Sequence, residues 1–269
     1  MATPSVIVLT GYGINCEEET CFAFSAAGAS ARILHINDII ESPGALDEAQ
    51  IFVFPGGFSY GDDTGSGKAL ANRIRNNLMD EFRAFISRDT LMLGICNGFQ
   101  VMVNLGIVPG LGGPLEEVEV SLEHNTTARY QCRWVHCLVE KSSQSVFTRG
   151  VERMFLPVAH GEGNFYAPEA TLAKLEGEGL VVMRYGRPGG GRAGGEFPHN
   201  PNGSMADVAA IRDRSGRIMG MMPHPERCVR LVQTEGWTLA KEQARRAGLD
   251  IPEEADGMAI FRNAVSYFL

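Results

Sequence analysis

The segment Gly94-Ile95-Cys96-Asn97-Gly98 has the small-x-nucleophile-x-small spacing of a nucleophile elbow. A strand that reverses sharply into a helix lifts the central side chain to the tip of the turn, where large flanking residues would collide. A thiol placed there sits at a helix N-terminus, whose dipole favours thiolate. The Asn97 backbone N–H then points at an oxyanion formed on an attacked carbonyl. The same residues also read as an ordinary buried cysteine at the end of an apolar strand. The elbow alone does not separate the two.

A thiol nucleophile needs a base, and the base needs an orienter. Of the six histidines, His224 stands out in Met222-Pro223-His224-Pro225-Glu226, directly after an apolar run. In extended chain, residues two apart point the same way, so Glu226 can accept the imidazole N–H and fix its tautomer. A proline-rigidified turn with solvated His and Glu is the plainer reading. His160-Gly161-Glu162-Gly163 repeats the His-x-Glu spacing. It fits a rival base, a metal site or a ligand-contact loop, and glycine on both sides of Glu162 favours the last. No His-Glu-x-x-His or paired Cys-x-x-Cys occurs, so no metal site is expected. Cys16/Cys21 and Cys132/Cys137 are expected in the core. Pro55-Gly56-Gly57-Phe58 ends another apolar run, where a glycine N–H can supply a second oxyanion donor. The stretch 61–69 lacks a phosphate loop, because Asp62 and Ala69 stand where Gly and Ser or Thr are required.

Short apolar runs at 6–9, 31–36, 50–54 and 91–95 read as strands, with helical patterns at 17–27, 69–87 and 99–105 between and after them. This alternation predicts an α/β fold, a mostly parallel sheet with helices on both faces and reactive groups at the strands' carboxyl ends. The second half differs. Strands at 129–140, 180–185 and 208–212 with few helices between them predict an added antiparallel section, and 218–222 reads as another short apolar strand. Residues 187–195, rich in Gly and Arg, read as a flexible surface loop, and 237–247 and 258–268 as helices. No repeat or linker divides the chain, so 1–269 is expected to be a single domain.

Composition bounds the function. The 269 residues carry a net charge of −8, which argues against a nucleic-acid groove or an anionic membrane as partner. The 32 glycines exceed the average share without reaching low complexity, so they belong at tight turns and close approaches. The uncharged stretch 90–115 is interrupted by Asn, Gln, Gly and Pro109 and reads as strand, turn and helix, not a membrane span. Six cysteines behind no signal peptide point to reduced thiols in the cytoplasm.

Taken in order, these pieces resemble the class I, or triad, glutamine amidotransferases. The resemblance narrows to the glutaminase subunits of phosphoribosylformylglycinamidine synthases, enzymes of purine (IMP) biosynthesis. It is carried by Gly13-Ile14-Asn15-Cys16, Pro55–Asp62, Gly94–Gln100, Cys132-Arg133-Trp134-Val135, Leu156–Gly163, Asn200–Ser204 and Met222–Arg227. The resemblance implies a flavodoxin-like sheet, Cys96 as nucleophile, His224 as base and Glu226 as its orienter. It also implies Gly57 and Asn97 as oxyanion donors, with Gln100, His160, Gly161 and Gly163 near bound glutamine. The implied reaction hydrolyses glutamine to glutamate and ammonia through a γ-glutamyl thioester. Implied partners are a large synthase subunit, with ATP and Mg in that subunit and no cofactor in this chain, and a small assembly subunit. A glutaminase for another synthase and a related-fold Cys-His peptidase are the alternatives. Segments 187–195 and 228–255, and His199, depart from the family pattern.

Overall fold

The computed structural model describes residues 3–269. One nine-stranded sheet runs in the order β2-β1-β3-β4-β11-β10-β9-β6-β7. Its parallel part comprises β2 (Ser30–His35), β1 (Ser5–Thr10), β3 (Ile51–Phe54), β4 (Leu91–Ile95) and β11 (Ile218–Met221). The antiparallel part adds β10 (Val208–Arg212), β9 (Val181–Gly186), β6 (Gln131–Val139) and β7 (Arg153–His160). A small pair, β5 (Ser121–Glu123) with β8 (Asn164–Tyr166), lies apart. The α/β class and the added antiparallel section are as the sequence predicts.

Burial explains the strands. Every residue of β3, β4 and β11 is buried, as expected of strands covered on both faces. The helices are α1 (Glu17–Ala26), α2 (Ile36–Glu41), α3 (Lys68–Asn77), α4 (Met79–Ser87), α5 (Asn97–Leu105), α6 (Glu169–Gly177), α7 (Trp237–Ala247) and α8 (Met258–Ser266). Phe82 and Phe85 of α4 pack edge-on against Phe52 of β3, at ring-centroid distances of 5.1 and 6.1 Å. Each buried ring is worth about 1.5–3 kcal/mol in apolar surface removed from water.

Several expectations need correction. The helix expected over 69–87 is two helices, because Leu78 leaves the helical region (φ −139°, ψ 18°). Segment 187–195 is anchored. Ala193 is buried, Gly186 bridges to Arg192, and the Gly194 and Gly195 N–H groups donate to the Asp207 carboxylate at 2.7 and 2.8 Å. Strand β7 and helix α6 fall where no element was foreseen. Helix α7 forms as predicted but buries none of its residues. No described helix is long and apolar enough to cross a membrane.

Candidate active site

Strands β4 and β11 are parallel neighbours with Ile95 opposite Met221, so the turns after them emerge side by side. The Cys96 N–H extends the ladder by donating to the Met221 carbonyl at 2.7 Å. Cys96 itself is held at φ 50°, ψ −106°, a conformation L-residues avoid at a cost of about 1–3 kcal/mol. Helix α5 begins at the next residue. Flanking size is dictated by contact. A Cβ on Gly98 would lie 1.8 Å from the Phe54 carbonyl oxygen, and one on Gly94 would lie 2.3 Å from Met102 Sδ. The predicted elbow is therefore present, with its sulfur buried 3.7 Å from the Ala159 carbonyl oxygen.

The second turn supplies His224 and Glu226, both buried. His224 Nδ1 lies 2.5 Å from Glu226 Oε1. The pair does not form from extended chain, as its spacing suggested. Pro225–Arg227 is a 3-10 turn, and it folds the carboxylate back onto the ring. The His224 N–H donates to the Pro157 carbonyl at 2.9 Å, tying this turn to β7 from the far edge of the sheet. Burial works against charge on His224. The Glu226 carboxylate, then the sulfurs of Cys96 and Cys16, outweigh it and hold the imidazole well above its ordinary range. Nε2 has no hydrogen-bond partner in the structure, an arrangement suited to a proton carrier awaiting substrate.

Around the elbow, Asn97 is a hub. Its Oδ1 accepts from the Ser59 N–H at 3.2 Å, and its Nδ2 donates to Asp62 Oδ1 at 3.1 Å and Gln100 Oε1 at 3.0 Å. These bonds fasten the turn carrying Gly57 to the nucleophile's helix. Burial, against the Ser66 hydroxyl, raises the Asp62 carboxyl above its usual range. Gln100 Nε2 donates to the Glu162 carbonyl at 2.5 Å, joining the 161–163 loop to α5. Beside them opens a cavity of about 310 Å³, lined by Ser66, Gln100, Asn104 and Glu162 on one hand and by Val103 and Val120 on the other. A larger cavity of about 890 Å³, bordered by β6, the start of β7 and Tyr267, contains none of the residues singled out.

His160 does not serve as a rival base. Its buried ring sits between Asn125 Oδ1, 3.2 Å from Nδ1, and Asn202 Nδ2, 3.5 Å from Nε2. Burial, with His224 nearby, pushes its pKa down to about 3, so it is neutral. The close approach at Gly163 is made by the His160 ring itself, 2.6 Å from where a Cβ would stand. Asn202 and Ser204 grip the Gly163 carbonyl at 2.7 and 3.2 Å, which gives the Asn200–Ser204 motif a place. Sequence reasoning missed Asn125, Asp62, Cys16 and Arg227. Cys132, expected in the core, is exposed. Among the described residues one group of potential metal ligands converges, Cys16, His224 and Glu226 within 4.8 Å. Of its atoms, the sulfur already accepts from Arg227 and the imidazole Nδ1 is bonded to Glu226.

The chain matches the CobB/CobQ-like glutamine amidotransferase domain over residues 3–268, and it belongs to that family. It is 50% identical over 266 residues to the phosphoribosylformylglycinamidine synthase subunit PurQ of Methanococcus maripaludis, spanning 98% of this chain and 97% of that protein. It is 40% identical to the PurQ subunit of Dehalococcoides mccartyi, over 99% and 98% of the two chains. A chain in the structure of PurLQS from Thermotoga maritima superposes with a TM-score of 0.72 at 25% identity, covering 100% of each.

Proposed function

We propose that the chain is the glutaminase subunit of a phosphoribosylformylglycinamidine synthase, hydrolysing glutamine and passing ammonia to a synthase subunit in purine biosynthesis. The observation that carries the chemistry is the buried His224–Glu226 bond of 2.5 Å beside a strained elbow thiol, with Nε2 left unpartnered.

The Cys96 thiolate attacks the side-chain amide carbon of glutamine, and the oxyanion is met by the Asn97 and Gly57 N–H groups. As the C–N bond breaks, imidazolium at His224 gives its proton to the leaving ammonia. A γ-glutamyl thioester remains on Cys96. Neutral His224 then takes a proton from water, hydroxide equivalent adds to the thioester, and glutamate leaves as Cys96 regains its thiolate. Glu226 holds Nδ1 throughout and stabilises the imidazolium. Gln100, His160, Gly161 and Gly163 shape the substrate side, His160 by pinning the loop rather than by proton transfer.

The ATP and Mg chemistry of the synthase belongs to a large partner subunit, with a small third subunit for assembly. The chain works as one unit over 1–269 in the cytoplasm and needs no cofactor. Full-length similarity to PurQ subunits favours this reading over a Cys-His peptidase. The test is glutamate release by wild type and Cys96→Ala, each with and without the synthase subunits. A loss on the order of 10⁴ in kcat is expected for the variant, with a γ-glutamyl adduct on Cys96 by intact mass. Equal rates would end the proposal.

A further inference from the structure

Of the buried thiols that the mechanism above does not use, Cys16 is the one within 4.8 Å of the His224 and Glu226 ligand atoms. It lies at the foot of α1, and a Cβ on Gly56 would stand 3.1 Å from its sulfur and 2.8 Å from His224 Cε1, so thiol and imidazole flank one point. Its sulfur accepts from Arg227 Nη2 at 2.9 Å and donates to Asn15 Oδ1 at 3.2 Å. Arg227 Nε stands 3.5 Å from Glu19 Oε1 and 4.0 Å from Glu226 Oε1. Meanwhile Glu226 Oε2 is buried without a partner. A guanidinium this close to an unpaired buried carboxylate oxygen is drawn onto it as a two-pronged pair. What keeps this ion pair long and one-pronged, at 4.0 Å, is the set of bonds from Arg227 to Cys16 and Glu19.

We propose that Cys16 is a positioning residue for the catalytic pair: its sulfur holds the Arg227 guanidinium back from a close, two-pronged pair with Glu226, leaving most of the carboxylate's charge to His224. This rests on the assignment of His224 and Glu226 above. The charged and titratable groups around the pair are Cys96 from the elbow, Cys16 and Glu19 from α1 and its approach, His160 from β7, Tyr130 beside β6, and Arg227. Of these, Arg227 is the cation that a short side-chain movement would bring onto Glu226. Burial raises the Cys16 thiol above its usual range, which suits a neutral group that both donates and accepts.

The test is a ¹⁵N-histidine NMR titration of the full chain, with the His224 signal assigned from His224→Asn. In the assembled synthase, the alkaline limb of kcat/KM for glutamine is measured alongside. Cys16→Ala releases Arg227 onto Glu226, and the His224 midpoint and the alkaline limb both move to lower pH by about half a unit or more. Cys16→Ser keeps a donor and acceptor at that point and keeps the wild-type midpoint. Cys16→Ala/Arg227→Gln, with no guanidinium to collapse, returns the midpoint toward wild type. A mere packing defect would lower stability in both alanine variants and move neither midpoint. An unchanged midpoint in Cys16→Ala, or a shift that survives Arg227→Gln, would overturn the inference. Failure of the glutaminase assignment shows separately, as full activity in Cys96→Ala.

Discussion

Two loops of this molecule carry His-x-Glu at strand ends, each with its imidazole buried, and they do opposite things with that imidazole. After β11, the 3-10 turn folds Glu226 onto His224, and the ring favours its charged form. After β7, Glu162 turns away to accept from the Ser66 N–H at 3.1 Å, and His160 is left between two side-chain amides. A buried imidazole without a carboxylate pays the desolvation penalty of charge with no return, and it stays neutral. Spacing made the two motifs equivalent. Which partner reaches the ring made one a proton carrier and the other a pin.

The largest expected contrast is in activity. His224→Asn should lower glutaminase kcat in the assembled synthase by on the order of 10⁴, because both proton transfers are lost. His160→Asn should leave acylation of Cys96 intact and act through the loop, chiefly on KM. Equal losses in kcat would erase the distinction. Next comes Glu226→Gln, expected to cost about 10²–10⁴ in kcat. Its pH profile carries the sign. The carboxylate raises the His224 pKa, so imidazolium is present below that pKa and lost as pH rises through it. With glutamine at 226 the alkaline limb of kcat/KM must move to lower pH. A limb that stays in place would show that Glu226 only orients the ring.

Much of this was legible in the sequence, for local reasons. Alternating apolar runs and helical patterns marked the parallel strands, and the elbow spacing marked Cys96, because those signals lie within a few neighbouring residues. The break at Leu78 was hidden because Ile74, Leu78, Phe82 and Phe85 keep one buried face across it. Strand β7 contains Pro157, which strand patterns reject and which an edge strand tolerates. The role of His160 lay out of reach because its partners Asn125 and Asn202 are 35 and 42 residues away. Cys16 read as core because no cluster of partner residues accompanies it in the sequence, while Arg227, the group that gives it another role, lies 211 residues on.

The contrast extends to stability. His160, at about 3 in the fold, protonates in the unfolded chain near its ordinary 6.5. Its contribution is therefore complete above pH 6.5 and is lost as pH falls toward 3. Between pH 6.5 and 5 this removes about 2 kcal/mol. Urea melts of wild type and His160→Asn over that range should differ by this slope, the variant being the flatter. His224 runs the other way: its raised pKa contributes stability that is present below 6.5 and lost as pH rises through the folded value. A wild-type slope no steeper than that of His160→Asn would mean that His160 is not held neutral.

The smallest effect separates the two glycines of the His160 loop, which the sequence treated alike. A Cβ on Gly163 would lie 2.6 Å from Cε1 and Nδ1 of the His160 ring. The ring cannot retreat without giving up Asn125, so Gly163→Ala should destabilise by about 1–3 kcal/mol. At Gly161 the nearest atom is Tyr130 Cδ2 at 3.9 Å, ordinary contact, and Gly161→Ala should stay within about 0.5 kcal/mol of wild type. Thermal melts of the two variants decide it. If Gly163→Ala melts with wild type, His160 is not packed against this loop and the pin is no pin. If Gly161→Ala also falls, a position with open space around it is under a constraint other than packing.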